Sequence, residues 1–355
     1  MNAVRQSMPV SFEIQPLREL DRAGWDAFVR AHPDGSFFHL SGWQRVLRRA
    51  FGHRSHYLLA RRQNAIVGVL PLARVKSLLF GDALVSTPFC VYGGALGVTQ
   101  EVVLALEDHA AALARELNVD HLELRNRSRT RAAGEQAWPI KELYVTFRRQ
   151  LDPDPEKTLL AIPRKQRAEV RAGIKNGLQT EFDTDTRRLF DIYSRSVRSL
   201  GTPVFARRYF DVLRQEFGAD CEIATVTHDG QPLASLMTFW FRNEVLPYYG
   251  GGLPAARPLS GYDYLYWDLM RRAVQRGCQI YDFGRSKLDT GPYKYKKHWG
   301  FEPQPLPYAY HLVRRTAVPN LSPNNPKYHR AIEAWKRLPL PVTQFIGPML
   351  ARYLG

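Results

Sequence analysis

The chain has 355 residues, 45% apolar and 24% charged, which suits a globular protein of about two domains and excludes a disordered, collagen-like or coiled-coil chain. Its 50 lysines and arginines against 34 acids leave a net charge of +16, a field that favours nucleic acid, nucleotide phosphates or an acidic membrane face. Cys90, Cys221 and Cys278 are widely spaced and odd in number, so they read as buried small residues in a reducing compartment.

Met1–Glu13 has no apolar stretch of signal-peptide length, and no run approaches the roughly 20 apolar residues of a membrane helix. The expected location is the cytoplasm, with the inner membrane face as a peripheral site. In chain order, Tyr57–Arg61 and Ile66–Val75 read as strands about a turn at Gln63-Asn64. Phe89–Gly94, ending in Tyr92-Gly93-Gly94, reads as a third strand, Val102–Leu117 as a helix and His121–Arg125 as a closing strand. The same order returns as Glu222–Thr227, a turn at Asp229-Gly230, Leu233–Phe241, Leu246–Gly251, a helix over Tyr262–Gln275 and a closing strand over Gln279–Phe283. The repeat is ββ–β(YGG)–α–β, a mixed sheet with a crossover helix that needs cover on both faces.

The expected fold class is therefore α/β (α+β): two mixed-sheet domains over residues 10–151 and 156–315, and a basic amphipathic tail over 319–355. Strand Leu143–Leu151 runs into the linker Asp152-Pro153-Asp154-Pro155, and a helix runs from Ile162-Pro163 to Gly177. In the tail, Ser322–Pro326 is a turn cluster, Lys327–Leu338 a short helix and Val342–Leu354 mostly apolar. Its basic and apolar residues suit either an interfacial anchor on anionic lipid or docking back onto the second domain.

Arg164, Arg167, Arg171 and Lys175 share one stripe of the helix that follows the linker. The stripe is either a clamp for phosphates or a solvated face of a basic protein. Asp282-Phe283-Gly284-Arg285-Ser286-Lys287 leaves a strand end, the usual place for ligands in α/β units. In Gly291–Phe301 aromatics alternate with lysines, which reads as ammonium groups projecting beside buried rings or as an edge strand guarded by lysines. No Walker A, G-x-G-x-x-G, G-x-S-x-G or H-E-x-x-H pattern occurs, and the histidines show no metal spacing.

Tyr295-Lys296-Lys297-His298-Trp299-Gly300-Phe301 resembles the C-terminal F-K-x-x-F/W-G motif of FemAB-like transferases. Tyr281-Asp282-Phe283-Gly284, Phe38-His39 with Trp43, and the Arg-rich helix Arg164–Lys175 are also similar to that family. So is the tail with Asn324-Asn325-Pro326-Lys327-Tyr328, which is most similar to the subgroup associated with PEP-CTERM/exosortase and exopolysaccharide gene sets. The resemblance spans nearly the whole chain and implies two GNAT-like (N-acyltransferase) domains in tandem. It implies an acyltransferase that moves an aminoacyl or acyl group to an amine of a cell-envelope, peptidoglycan or exopolysaccharide precursor. The donor would be aminoacyl-tRNA or acyl-CoA, with no tightly bound cofactor and no metal.

In that family the lysine of the F-K pair lies at the reaction centre, which here is Lys296, placed to stabilise an oxyanion. Asp282 is a candidate base by position, and a turn-capping carboxylate is the simpler alternative. Tyr249 and Trp299 would shape the cleft. Arg164, Arg167, Arg171 and Arg285 would meet the phosphates of a nucleotide- or lipid-linked precursor or of tRNA. Two family features are missing: a long helical arm, and the Q-x-x-G-x-G pyrophosphate loop of CoA-binding domains, of which Arg257 with Ser260-Gly261 is a faint echo. Rival expectations are an acyl-CoA-dependent N-acetyltransferase acting on an amino sugar and a non-catalytic assembly protein at the membrane surface.

Overall fold

The computed structural model describes residues 11–132, 137–319 and 326–354, which form two compact units. The first comprises residues up to 48, 53–140 and 307–318; the second comprises 49–52, 141–306 and the tail from 319. Relative to the expected domains, the strand over 141–150 and the tail group with the second unit, and 307–315 with the first. The turn expected at 322–325 lies outside the described residues, as does most of Met1–Glu13.

The first unit contains, in chain order, β1 (Glu13–Pro16), α1 (Arg22–Ala31), α2 (Gly42–Val46), β2 (Arg54–Ser55), β3 (Leu58–Arg62), β4 (Ala65–Leu70), β5 (Leu72–Ser77), β6 (Gly81–Ser86), β7 (Leu96–Gly97), α3 (Gln100–Glu116) and β8 (His121–Leu124). One antiparallel sheet has the order β1-β3-β4-β7, and a second runs β8-β6-β5-β2 with β6 and β8 parallel. Pro71 divides the expected strand Ile66–Val75 in two, β4 and β5, which go to different sheets, because a proline has no N–H for the ladder. The other correction concerns Tyr92-Gly93-Gly94. It lies in a loop, where the Gly93 and Gly94 N–H groups both donate to the Arg125 carbonyl, and β6 is the strand. The crossover helix α3 starts on Thr99, whose hydroxyl accepts from Val102 N–H, and buries Val102, Leu106, Ala110 and Ala114.

The second unit carries β9 (Ile140–Gln150), α4 (Pro155–Leu160), α5 (Arg164–Lys175), β10 (Gln179–Phe182), α6 (Arg187–Ser199), α7 (Arg207–Phe217), β11 (Cys221–His228), β12 (Gln231–Phe241), β13 (Glu244–Gly252), α8 (Gly261–Gln275), β14 (Ile280–Asp282), β15 (Ser286–Lys287), α9 (Gly291–His298), β16 (Pro303–Leu312), α10 (Pro326–Arg337) and α11 (Leu340–Ala351). Residues 307–312 of β16 belong to the first unit, where 309–312 pair with β8. The sheet order is β10-β11-β12-β13-β14-β9, antiparallel except for the β13–β14 pair. That parallel pairing covers Glu244↔Ile280 and Val245↔Tyr281.

The two faces of this sheet carry different helices. A Cβ on Gly251 would meet Tyr193 and Ser196 of α6, and one on Gly252 would meet Tyr262 of α8. On the α8 face Leu265, Trp267 and Met270 pack with Phe147, Tyr281, Phe283 and Trp299. Gly173 of α5 lies where a Cβ would come within 2.8 Å of the Tyr264 Cβ, which lets α5 pack closely on α8. Burial of these apolar stripes holds the helices, since α5 and α6 are mostly polar by composition.

The segment Gly291–His298 is a helix, not the lysine-guarded edge strand that its alternation suggests. Pro292 occupies its first turn, where the missing N–H costs nothing. Tyr293, Tyr295, Lys296 and Trp299 turn inward, and Lys294, Lys297 and His298 outward, the period of a helix.

Candidate functional site

The site grows from the turn after β14. Asp282 is fully buried, and its Oδ1 accepts the Gly284 N–H at 2.9 Å. Gly284 takes φ +72°, the left-handed region that glycine reaches without strain. This turn presents the Gly284 and Arg285 carbonyls to Lys296, whose Nζ donates to them at 2.9 and 3.1 Å. Beside this capping bond, Thr146 Oγ1 donates to the same oxygen at 3.4 Å, and Arg148 Nε lies 3.8 Å from Oδ2. Arg148 also donates to Glu244 at 2.6 Å.

Lys296 is only 9% exposed, and its Nζ lies 5.6 Å from the centroid of Phe147 and 5.5 Å from that of Phe283. Burial lowers its pKa to about 7, with Asp282 opposing the fall and Arg285 adding to it. An ammonium has three N–H donors, and two are committed to carbonyls. No hydrogen bond from the third N–H to a described residue is seen.

Trp299 is fully buried against Tyr266, Phe283 and Tyr295, and its carbonyl accepts from Arg149 at 3.3 Å. Arg285 lies beside Lys296 in the chain turn, with its guanidinium carbon 4.5 Å from the Tyr144 ring centroid. Lys296, Asp282, Arg285 and Trp299 are thus brought together. Tyr249 is not with them. It packs among Tyr193, Phe205, Tyr209 and Phe210 on the α6 face of the sheet, and its hydroxyl meets that of Tyr209 at 2.7 Å. Because side chains alternate along a strand, Tyr249 shares the face of Gly251, opposite to α8, and does not line the site.

The arginine stripe lies on the outer face of α5. Arg164, Arg171 and Lys175 are exposed and have no ion pair with a described residue, whereas Arg167 donates to the Leu160 carbonyl at 2.7 Å. The inner face of α5 reaches a polar cluster that the sequence did not disclose. Tyr295 hydroxyl donates to Asp263 Oδ1 at 2.7 Å, and Gln166 Nε2 donates to the same oxygen. Burial pushes the Asp263 carboxyl up, and Glu169 pushes it further.

The sequence reading placed Lys287 at a strand end without giving it a role, and it passed over Lys141. Lys287 pairs with Tyr144 across β15 and β9, and its amine is lowered to about 8, first by burial and then by Arg285 and Lys141. The signal was present: Arg285 and Lys287 stand two apart at a strand, so they share a face. Together with Lys296 these cations form a positive field in which negative charge is favoured. Among the described residues no group of histidines, cysteines and acids has the makings of a metal site, and no helix is long and apolar enough to cross a membrane.

Residues 164–297 match the family of the acetyltransferase (GNAT) domain. The fold is similar to that of FemX, with a TM-score of 0.66 at 14% identity over 90% of this chain and 100% of that one. It is also similar to the C-terminal domain (DUF2156) of a putative lysylphosphatidylglycerol synthetase from Agrobacterium fabrum, at 0.56 and 12% over 89% and 94%. A tandem GNAT protein from the clavulanic acid biosynthesis pathway aligns at 0.52 and 14% over 86% and 100%. No curated protein matches the chain in sequence. The expected tandem GNAT-like, mixed-sheet architecture is the one found, and the match to the acetyltransferase (GNAT) domain lies in the second unit.

Proposed function

We propose that the protein is a FemAB-like N-acyltransferase that moves an aminoacyl or acyl group onto an amine of a cell-envelope or exopolysaccharide precursor. The work would be done at the cytoplasmic face of the membrane, and a PEP-CTERM/exosortase-linked polysaccharide is the finer form of this reading. One observation carries it: a buried lysine, Lys296, in the matched GNAT domain, with one N–H that makes no hydrogen bond to a described residue.

In the reaction the acceptor amine attacks the donor carbonyl carbon, a C–N bond forms and the carbonyl oxygen gains negative charge. The C–O bond of an aminoacyl-tRNA ester, or the C–S bond of an acyl-CoA thioester, then breaks. The proton lost by the amine ends on the leaving oxygen or sulfur. The Lys296 cation stabilises the oxyanion, an effect of roughly 3–4 kcal/mol for a single preorganised donor. A growing negative charge beside Lys296 also restores its affinity for the proton that burial weakens. Arg285 and Lys287 favour phosphates near the acceptor, and Arg164 and Arg171 supply an outer basic face for a tRNA or a nucleotide-linked precursor. The name of the lysylphosphatidylglycerol synthetase neighbour, a lysyl group on a phospholipid, agrees in kind with an aminoacyl donor and an envelope acceptor. The GNAT acetyltransferase match favours a second reading, acyl-CoA as donor and an amino sugar as acceptor.

The test is the mass change of candidate precursors incubated with the protein and each donor in turn. The Lys296→Ala protein, checked for folding, should transfer about a hundred- to a thousandfold more slowly. Undiminished transfer would remove Lys296 from the mechanism. No mass change with any donor would favour the assembly-protein alternative.

A further inference from the structure

The tail shows two faces. The inner face of α11 carries Thr343, Gly347 and Ala351, all buried, and a Cβ on Gly347 would come within 3.0 Å of Val204. Gln344 Nε2 donates to Ser194 Oγ of α6 at 2.9 Å, and Arg352 donates to the Phe51 carbonyl. In α10, Ile332 lies against Gly201. The tail therefore docks on the second unit, one of its two expected behaviours.

Docking leaves the other face of α11 bare. Phe345 is 71% exposed, Met349 54%, and Val342 and Ile346 36% each. At 100° per residue these four fall within about 100° of arc, opposite the buried stripe. No charged residue occurs in Leu340–Ala351. The preceding helix presents Arg330 and Arg337, both exposed, seven residues apart on one face and without an ion pair to a described residue. Across 326–354 the basic residues Lys327, Arg330, Lys336, Arg337 and Arg352 stand against Glu333.

We propose that the outer face of α11, together with the exposed cations Arg330 and Arg337 of the preceding helix, is a docking surface for an anionic lipid bilayer. At 12 residues the helix is too short to cross the hydrocarbon core, which takes about 20. Held by its inner stripe, it lies in the interface plane with Val342, Phe345, Ile346 and Met349 among the acyl chains and the arginines at the headgroups. Charge decides between this occupant and a second copy of the chain. A two-fold contact would set the patch and its arginines against themselves, whereas phosphatidylglycerol supplies the opposite sign. The inference stands apart from the transfer chemistry.

The test is flotation of the full chain with vesicles of phosphatidylcholine, with and without one third phosphatidylglycerol. The intact protein should float with the anionic vesicles only, and added salt should weaken binding. The double variant Phe345→Glu/Met349→Glu changes outward side chains, so its melting temperature should hold while partition falls at least about tenfold. Arg330→Glu/Arg337→Glu should also lower partition at least about tenfold. Undiminished flotation of the Phe345/Met349 variant would overturn the proposal. So would an intact protein that floats with neither vesicle and instead elutes as a dimer split by the same variant.

Discussion

Replacing Lys296 with methionine should yield a protein that is more stable at neutral pH and transfers poorly, and the pH dependence of the gain tests the burial argument. The folded amine loses its proton near pH 7, against an ordinary value of 10.5, chiefly because it is removed from water. In the unfolded chain the same amine keeps its proton up to about pH 10.5. Between those values the unfolded state binds more protons, so the contribution of Lys296 to stability rises with pH. Below pH 7 both states are protonated and the penalty is at its full, constant value. Linkage gives a penalty of about 4 kcal/mol at pH 7 and about 2 kcal/mol at pH 9. Methionine fills a similar volume without charge but forfeits two hydrogen bonds to the Gly284 and Arg285 carbonyls, about 1 kcal/mol each. The variant should thus gain about 2 kcal/mol at pH 7 and almost nothing at pH 9. Urea unfolding of both proteins at the two pH values measures the difference, and groups common to both cancel. A difference that does not change with pH would mean that the amine is solvated, and the argument from burial would fail.

Two further outcomes follow from where the other residues lie. Arg164→Glu/Arg171→Glu alters exposed side chains that have no ion pair with a described residue, so stability should stay within about 0.5 kcal/mol while affinity for a phosphate-rich donor or acceptor drops about tenfold and its salt dependence flattens; filter binding across a salt series reads both. Tyr249→Phe removes one buried hydrogen bond, the 2.7 Å contact with the Tyr209 hydroxyl, so thermal unfolding should show a loss of about 1 kcal/mol. Transfer should stay within about twofold, because the ring is on the face away from Lys296.

The second half of the chain was more legible than the first because its hydrophobic patterns coincide with its strands. The turn at Asp229-Gly230 joins β11 to β12 as expected, and Tyr248–Gly251 lies inside β13. In the first half the Tyr92-Gly93-Gly94 run imitates that strand by composition, but two glycine N–H groups are spent on one carbonyl, which closes a loop. The helices α6 and α7 were legible in principle. Leu189, Ile192, Tyr193 and Val197 keep helical spacing and are buried. The alternation Tyr293-Lys294-Tyr295-Lys296 misled because short runs fit both periods, and Pro292 was the arbiter. The burial of Lys296 was beyond local reading altogether. It depends on carbonyls twelve and eleven residues away, turned by Gly284 and held by Asp282.

The two units differ in how they treat charge, and this difference supports the proposal that the chemistry lies in the second. In the first unit the residues after β8 answer one another. Arg125 donates to Glu123 and to the Cys90 carbonyl, and buried Glu107 accepts from Asn126, Thr130 and Arg131. The cavity of about 240 Å³ beside the start of α3 is lined by Gly97, Thr99, Gln100 and Arg127, with no lysine. In the second unit Lys296 is the one buried lysine among the described residues, and its hydrogen bonds go to neutral carbonyls. Carbonyls satisfy N–H groups without cancelling the charge. Asp282, the acid that acts on it through space, is itself tied to the Gly284 N–H and faces Arg148. A buried cation left short of negative charge is costly at rest and gains most when an anion forms beside it, which is the condition for stabilising an oxyanion more than the substrate that precedes it.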